Sequence, residues 1–145
     1  MKFKISRNIN RIELHDSTID EFVITPDFIN LIFDWAKLEN FEEEKLSSLI
    51  LGKCSLKLSG IKVNKLESDI ESEKKNIVFP NNFPSDLEII SKNHSDNDNH
   101  LIISGLIHLE NKLVWTNWIS EFESFEFSWN HYVTFEQWQN GELPK

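Results

Sequence analysis

Apolar and polar residues alternate with a period of two through most of the chain, the pattern of strands with one buried face. In Ile29-Asn30-Leu31-Ile32-Phe33-Asp34-Trp35, the residues Ile29, Leu31, Phe33 and Trp35 form one apolar face, and Asn30 and Asp34 point away from it. Pro26-Asp27 just upstream marks a turn from a preceding strand over 18–24, so the two predict an antiparallel hairpin. Further on, Cys54, Leu56 and Leu58 alternate with Lys53, Ser55, Lys57 and Ser59. At Gly60 the phase shifts, and Ile61 and Val63 carry the apolar side; a glycine at a change of parity predicts a β-bulge.

The second half continues in the same style. Residues 64–85 are polar and charged, then rich in Pro and Asn, and predict an exposed excursion with a short strand at 77–79. Residues 86–91 and 100–109 read as strands separated by a hydrophilic tip. The second of these is apolar on both faces, which predicts a central strand covered on both sides. Glu110-Asn111-Lys112 is a natural turn into Leu113-Val114-Trp115, and 119–129 predicts a last long strand with Phe125, Phe127 and Trp129 on one face. Two short helices are expected. Asn40 with Glu43 three residues on resembles a cap before "FEEEKLSSLI", and Thr134 to Gln137 has capping-box spacing with Gly141 as a stop. The expected fold is mainly β, with α+β as its variant: an antiparallel sheet forming a sandwich or open barrel, with one or two short helices, in a single domain over 1–145.

Composition supports this reading. Alanine, the best helix former, occurs once, at Ala36, whereas Phe, Ile, Leu, Val and Trp are plentiful. With 145 residues the chain can bury a core without a metal or disulfide staple. Cys54 is the only cysteine, so no intrachain disulfide is possible, and a reducing compartment is the simplest expectation. The first residues lack the apolar run of a signal peptide, and the most apolar internal stretch, 101–109, is too short for a membrane span. A cytoplasmic protein is expected.

The net charge of −9 is unevenly spread. Residues 1–15 hold four bases and one acid, whereas residues 16–44 hold one base and nine acids. An acidic chain repels nucleic acid and anionic lipid, whose recognition rests on Lys and Arg. It attracts a basic protein and speeds encounter with it.

Candidate chemistry is sparse. His15-Asp16 first suggests the metal-dependent phosphohydrolases built on a His-Asp dyad, but these are helical and carry further ligands on other helices. On an extended strand the two side chains would point to opposite faces. The apolar parity changes between Leu14 and Ile19, so the pair is expected at a kink, where short polar side chains satisfy the main chain. The loop 94–100 resembles a metal loop but fails as a calcium site: Leu101 stands where glycine is required and Ile107 where the closing acid belongs. His94 and His100 alone do not make a zinc site. "SSLILGKCS" is not a phosphate loop, since Ser47 replaces its first glycine and Cys54 its last hydroxyl residue. Cys54 reads as a buried structural thiol. No catalytic residue, metal or cofactor is expected.

The C-terminal quarter stands out. Trp115, Trp118, Phe122, Phe125, Phe127, Trp129, Tyr132, Phe135 and Trp138 fall within it, with Glu121, Glu123, Glu126, Glu136 and Glu142 and no Lys or Arg from Leu113 to Pro144. Aromatics without bases do not make a nucleic-acid platform. Most are expected in the core; the remainder would form an aromatic surface rimmed by glutamates, suited to a protein or to a cationic or sugar-like ligand.

"LHDSTI", the following "LIFDWAKL" and the late "W…SFEFSW" pattern are similar to small β-rich bacterial proteins of unknown function, some of them immunity proteins of polymorphic toxin systems. The resemblance involves the two ends of the chain. It implies a protein that neutralises a toxin by binding it, and no catalytic residues; an acidic surface would suit a basic nuclease toxin. The leading expectation is therefore a non-enzymatic module that binds another, basic protein through Asp27, Glu42, Glu43, Glu44, Trp115, Trp118, Glu121 and Glu123. The alternative is a small-ligand or carbohydrate-binding module lined by Trp115, Trp118 and Trp129. A metal-dependent hydrolase using His15, Asp16 and His131 is the third.

Overall fold

The structure, a computed structural model, describes residues 1–39, 48–94 and 98–144. Its strands in chain order are β1 (Phe3–Ile5), β2 (Ile12–Glu13), β3 (Ile19–Ile24), β4 (Phe28–Phe33) and β5 (Ala36–Leu38). There follow β6 (Leu49–Leu51), β7 (Cys54–Ser59), β8 (Val63–Ile70), β9 (Glu73–Ile77) and β10 (Glu88–His94). The last are β11 (His100–Leu109), β12 (Lys112–Glu121), β13 (Ser124–Trp129) and β14 (Tyr132–Thr134), before the short helix α1 (Phe135–Gln139). Among the described residues one 3-10 turn is present, at Ile9–Arg11.

The described strands pair antiparallel in three sheets, ordered β1-β13-β7-β4-β3, β10-β11-β12-β8-β9 and β14-β6-β5-β2. The two five-stranded sheets face each other as a sandwich. One apolar cluster joins Leu31, Phe33, Leu56 and Phe127 of the first to Leu66, Ile103, Ile107 and Trp118 of the second. Leu38 and Leu51 bring the small third sheet into the same cluster. The mainly β, antiparallel expectation holds, because the period-two alternation exposes one face of each sheet and buries the other.

Several elements differ from the sequence reading. Gly60 is not a bulge within one strand: with φ of 68° it ends β7 in the first sheet and sends the chain into β8 of the second. The long strand expected over 119–129 is likewise split at Phe122-Glu123, so β12 and β13 belong to different sheets. These two crossovers are laced together: Lys62 N–H donates to Glu121 O at 2.7 Å, and Glu123 N–H to Ser59 O at 2.9 Å. The excursion at 64–85 contains most of a full hairpin, β8-β9. Of the helix expected after Asn40, residues 40–47 lie outside the described residues, and Leu49–Leu51 is strand β6. The second helix is α1. Thr134 Oγ1 accepts from Gln137 N–H at 3.1 Å, and Gln137 Oε1 accepts from Thr134 N–H at 2.9 Å, the reciprocal cap its spacing implies. No helix among the described residues is long and apolar enough to cross a membrane.

Candidate functional site

The crossover corner gathers three of the acidic residues singled out in the sequence. The carbonyl of Asp27 accepts the N–H groups of Gly60 at 3.0 Å and Ile61 at 3.1 Å. Glu121 and Glu123 flank the second crossover, and the Glu123 side chain closes over Gly60. Asp27, Glu121 and Glu123 are exposed and share this end of the sandwich. Glu42, Glu43 and Glu44 lie outside the described residues.

Glu121 also marks the rim of a second feature, the outer face of the sheet containing β11 and β12. Cross-strand pairs on this face are His100 with Glu121, Ile102 with Ile119, Ser104 with Asn117, Leu106 with Trp115 and His108 with Leu113. Ile102, Leu106, Trp115 and Ile119 are half-buried and Leu113 is 57% exposed. The expectation that β11 is covered on both sides holds only in part: on this face Ser104 is buried, whereas Ile102 and Leu106 are half-buried. β11 is apolar on both sides because its outer side forms part of an apolar surface. Trp115 is held there by its indole N–H, which donates to Asn117 Oδ1 at 3.2 Å, and Ser104 Oγ donates to the same oxygen at 2.6 Å. Glu88 lies opposite Leu106, Glu67 opposite Asn117, and Lys65 opposite Ile119. Glu67, Glu88 and Glu121 thus edge these apolar residues, with Lys65 as the opposing charge. Ile102 and Leu106 were legible in the sequence as the second apolar face of 100–109.

Trp118 is not part of that surface. It points into the core at 2% exposure, its ring 4.9 Å from that of Phe83, and its indole N–H donates to Asn64 Oδ1 at 2.7 Å. Trp129 is fully buried and stacks on Phe3 with centroids 5.8 Å apart. A ligand site lined by Trp115, Trp118 and Trp129 does not exist, because parity along β12 and β13 puts two of the three rings inside. Of the nine aromatics in the C-terminal quarter, Tyr132 and Trp138 are the exposed ones.

His15 and Asp16 lie in a turn, not on a strand. Asp16 has φ of 63°, and this brings its Oδ2 to 3.2 Å from His15 Nε2, so the expectation that the two side chains point apart is overturned. The pair clasps the edge of β10 at its bulge. Asp16 N–H donates to Ile89 O at 3.1 Å, and His15 Nδ1 lies 2.6 Å from Ile90 O. Trp35 contributes its indole N–H to Asp16 O at 3.3 Å. Two carboxylates satisfy the kinked main chain: Glu13 Oε1 accepts from His15 N–H at 3.0 Å, and Asp34 Oδ1 accepts from Thr18 N–H at 2.7 Å and Trp35 N–H at 2.9 Å. Among the described residues no three His, Cys, Asp or Glu side chains converge in a way that could hold a metal ion.

The tip that resembled a metal loop serves as a clamp. Asp98 accepts main-chain N–H groups of Asn8 and Ile9, and Asn99 Nδ2 donates to Phe122 O at 3.0 Å and Glu123 O at 2.7 Å. Two further groups are electrostatically unusual. Burial lowers the Lys92 ammonium to about 8, against the opposing pull of Glu13 and Glu39, while its Nζ donates to Ile9 O at 3.1 Å. Burial, reinforced by the Asp34 carboxylate, raises the Cys54 thiol far above its ordinary range and keeps it protonated and unreactive. No family model, curated protein or solved structure matches the chain.

Proposed function

We propose that this chain is a non-enzymatic binding module whose partner is a basic protein, of the kind that the immunity proteins of toxin systems capture. The observation that carries the reading is the outer face of β11 and β12. There Ile102 and Ile119 lie on one side of the Ser104–Asn117 pair and Leu106, Trp115 and Leu113 on the other, all half-buried or exposed, with Glu67, Glu88 and Glu121 around them and Lys65 as the opposing charge. Apolar anchors on a rigid sheet supply binding energy, and a carboxylate rim steers a basic partner and rejects acidic ones. The chain's charge of −9 acts in the same direction at longer range.

The test is affinity capture with the tagged protein from lysate of its own source, at low and high salt, followed by identification of what is retained. A stoichiometric basic protein is expected, retained at low salt and weakened at high salt. Leu113→Asp and Trp115→Ala, both at solvent-facing positions, are expected to abolish capture while circular dichroism stays unchanged. Glu121→Lys is expected to slow association more than it speeds dissociation. A partner held equally well by Leu113→Asp would overturn this surface, and an acidic partner would overturn the electrostatic reading.

A further inference from the structure

The small third sheet carries a different feature, unrelated to the face of β11 and β12. A hollow of about 320 Å³ opens where the corner between β4 and β5, strand β6, helix α1 and the last residues meet. Its walls include Trp35, Leu51, Gly52, Trp138 and Leu143, and among the described residues Asp34 is the only charged group lining it. Trp138 is 43% exposed on the capped helix α1, with its ring stacked on that of Phe135 at 5.7 Å.

We propose that this hollow is a binding site for a small organic cation with an apolar head, a quaternary ammonium. Three observations converge. First, two indoles line a mainly apolar hollow, and among aromatic side chains the indole face attracts cations most strongly. Second, the Asp34 carboxylate is fixed in place by two main-chain N–H groups on Oδ1, which leaves Oδ2 without a hydrogen-bond donor among the described residues. A carboxylate at the edge of an apolar hollow selects a positive charge over a neutral or negative one. Third, the aromatic cluster already holds a cation on another side: Lys37 Nζ sits 4.7 Å over the ring of Phe135, which stacks on Trp138 at 5.7 Å. A quaternary ammonium is favoured over a primary one because the hollow offers little to satisfy N–H donors beyond one carboxylate, whereas methyl groups fit its apolar walls. The indole N–H of Trp35 is already committed to Asp16 O, so it does not serve as a donor to a ligand.

The test is a titration with choline and with its neutral carbon isostere 3,3-dimethyl-1-butanol, followed by tryptophan fluorescence and calorimetry. Choline is expected to bind saturably, with the isostere weaker by roughly three- to tenfold, the share of the charge. Asp34→Asn keeps the Oδ1 acceptor and removes the charge, so it should lower choline affinity roughly three- to tenfold and leave the isostere unaffected, with only a small fall in the urea midpoint from the weakened bonds to Thr18 and Trp35. Trp138→Leu, at an exposed position, should abolish the calorimetric signal for choline. Equal affinity for choline and its isostere would overturn the proposal, as would an unaffected Asp34→Asn variant. Saturable binding of glucose without binding of choline would do the same and would reassign the hollow to sugars.

Discussion

The Asp98 carboxylate accepts the N–H of Ile9 at 2.8 Å and that of Asn8 at 2.9 Å, tying the N-terminal segment to the β10-β11 connection across 89 residues of sequence. Asn8 has φ of 57°, a left-handed conformation that turns both amides towards the same acceptor. Charge-assisted bonds of this kind are the strong ones, so Asp98→Ala should cost about 2 kcal/mol in urea denaturation, with Asp98→Asn between it and the parent chain. An unchanged midpoint for Asp98→Ala would show that the clamp contributes nothing to stability.

Two glycines should respond differently to alanine. At Gly105 an added Cβ would stand 1.9 Å from the main-chain oxygen of Glu88, which cannot move without shifting β10. Gly105→Ala should therefore cost about 3 kcal/mol or more. At Gly60 the nearest atoms belong to the flexible, exposed Glu123 side chain, so the cost comes mainly from φ of 68° and should be about 1–2 kcal/mol. Thermal unfolding of the two variants ranks them.

The tryptophans divide in the same way. Trp118→Ala should cost about 3–5 kcal/mol, since it empties a core position and leaves Asn64 without its donor. Trp115→Ala, on the outer face, should cost about 1 kcal/mol. Acrylamide should quench the emission of Trp138 and leave that of Trp118 and Trp129 largely untouched. Equal stability losses for Trp115 and Trp118 would contradict the assignment of faces along β12.

Lys92 and Cys54 make opposite contributions in alkali. The Lys92 ammonium has its pKa lowered from 10.5 to about 8 in the folded chain. Between these values the unfolded chain binds the extra proton, so this term makes stability rise with pH through the window. The folded Cys54 thiol stays protonated above the pH at which an unfolded thiol ionises, so its term makes stability fall as pH rises beyond about 9. Urea midpoints from pH 7 to pH 10 should show Lys92→Met losing stability more steeply than the parent chain, and Cys54→Val gaining it. Parallel curves for all three would mean that neither group changes its ionisation on folding.

Much of this molecule is determined locally. Alternation from Ile29 to Phe33, from Cys54 to Leu58 and from Phe125 to Trp129 is enough to specify strands and their buried faces, because a strand's side chains alternate whatever it pairs with. The cap of α1 is equally local, as its two reciprocal bonds lie within four residues. Tertiary structure alone decided where strands change sheets, at Gly60 and Phe122-Glu123, because a change of parity looks the same for a bulge and for a crossover. It also decided that Asp27, Glu121 and Glu123 meet at one corner, that Ile102 and Leu106 on the outer side of β11 are only half-buried, and that Trp35 and Trp138 line one hollow. Those outcomes depend on contacts between residues far apart in the chain, and the residues next to each position carry no record of its distant partners.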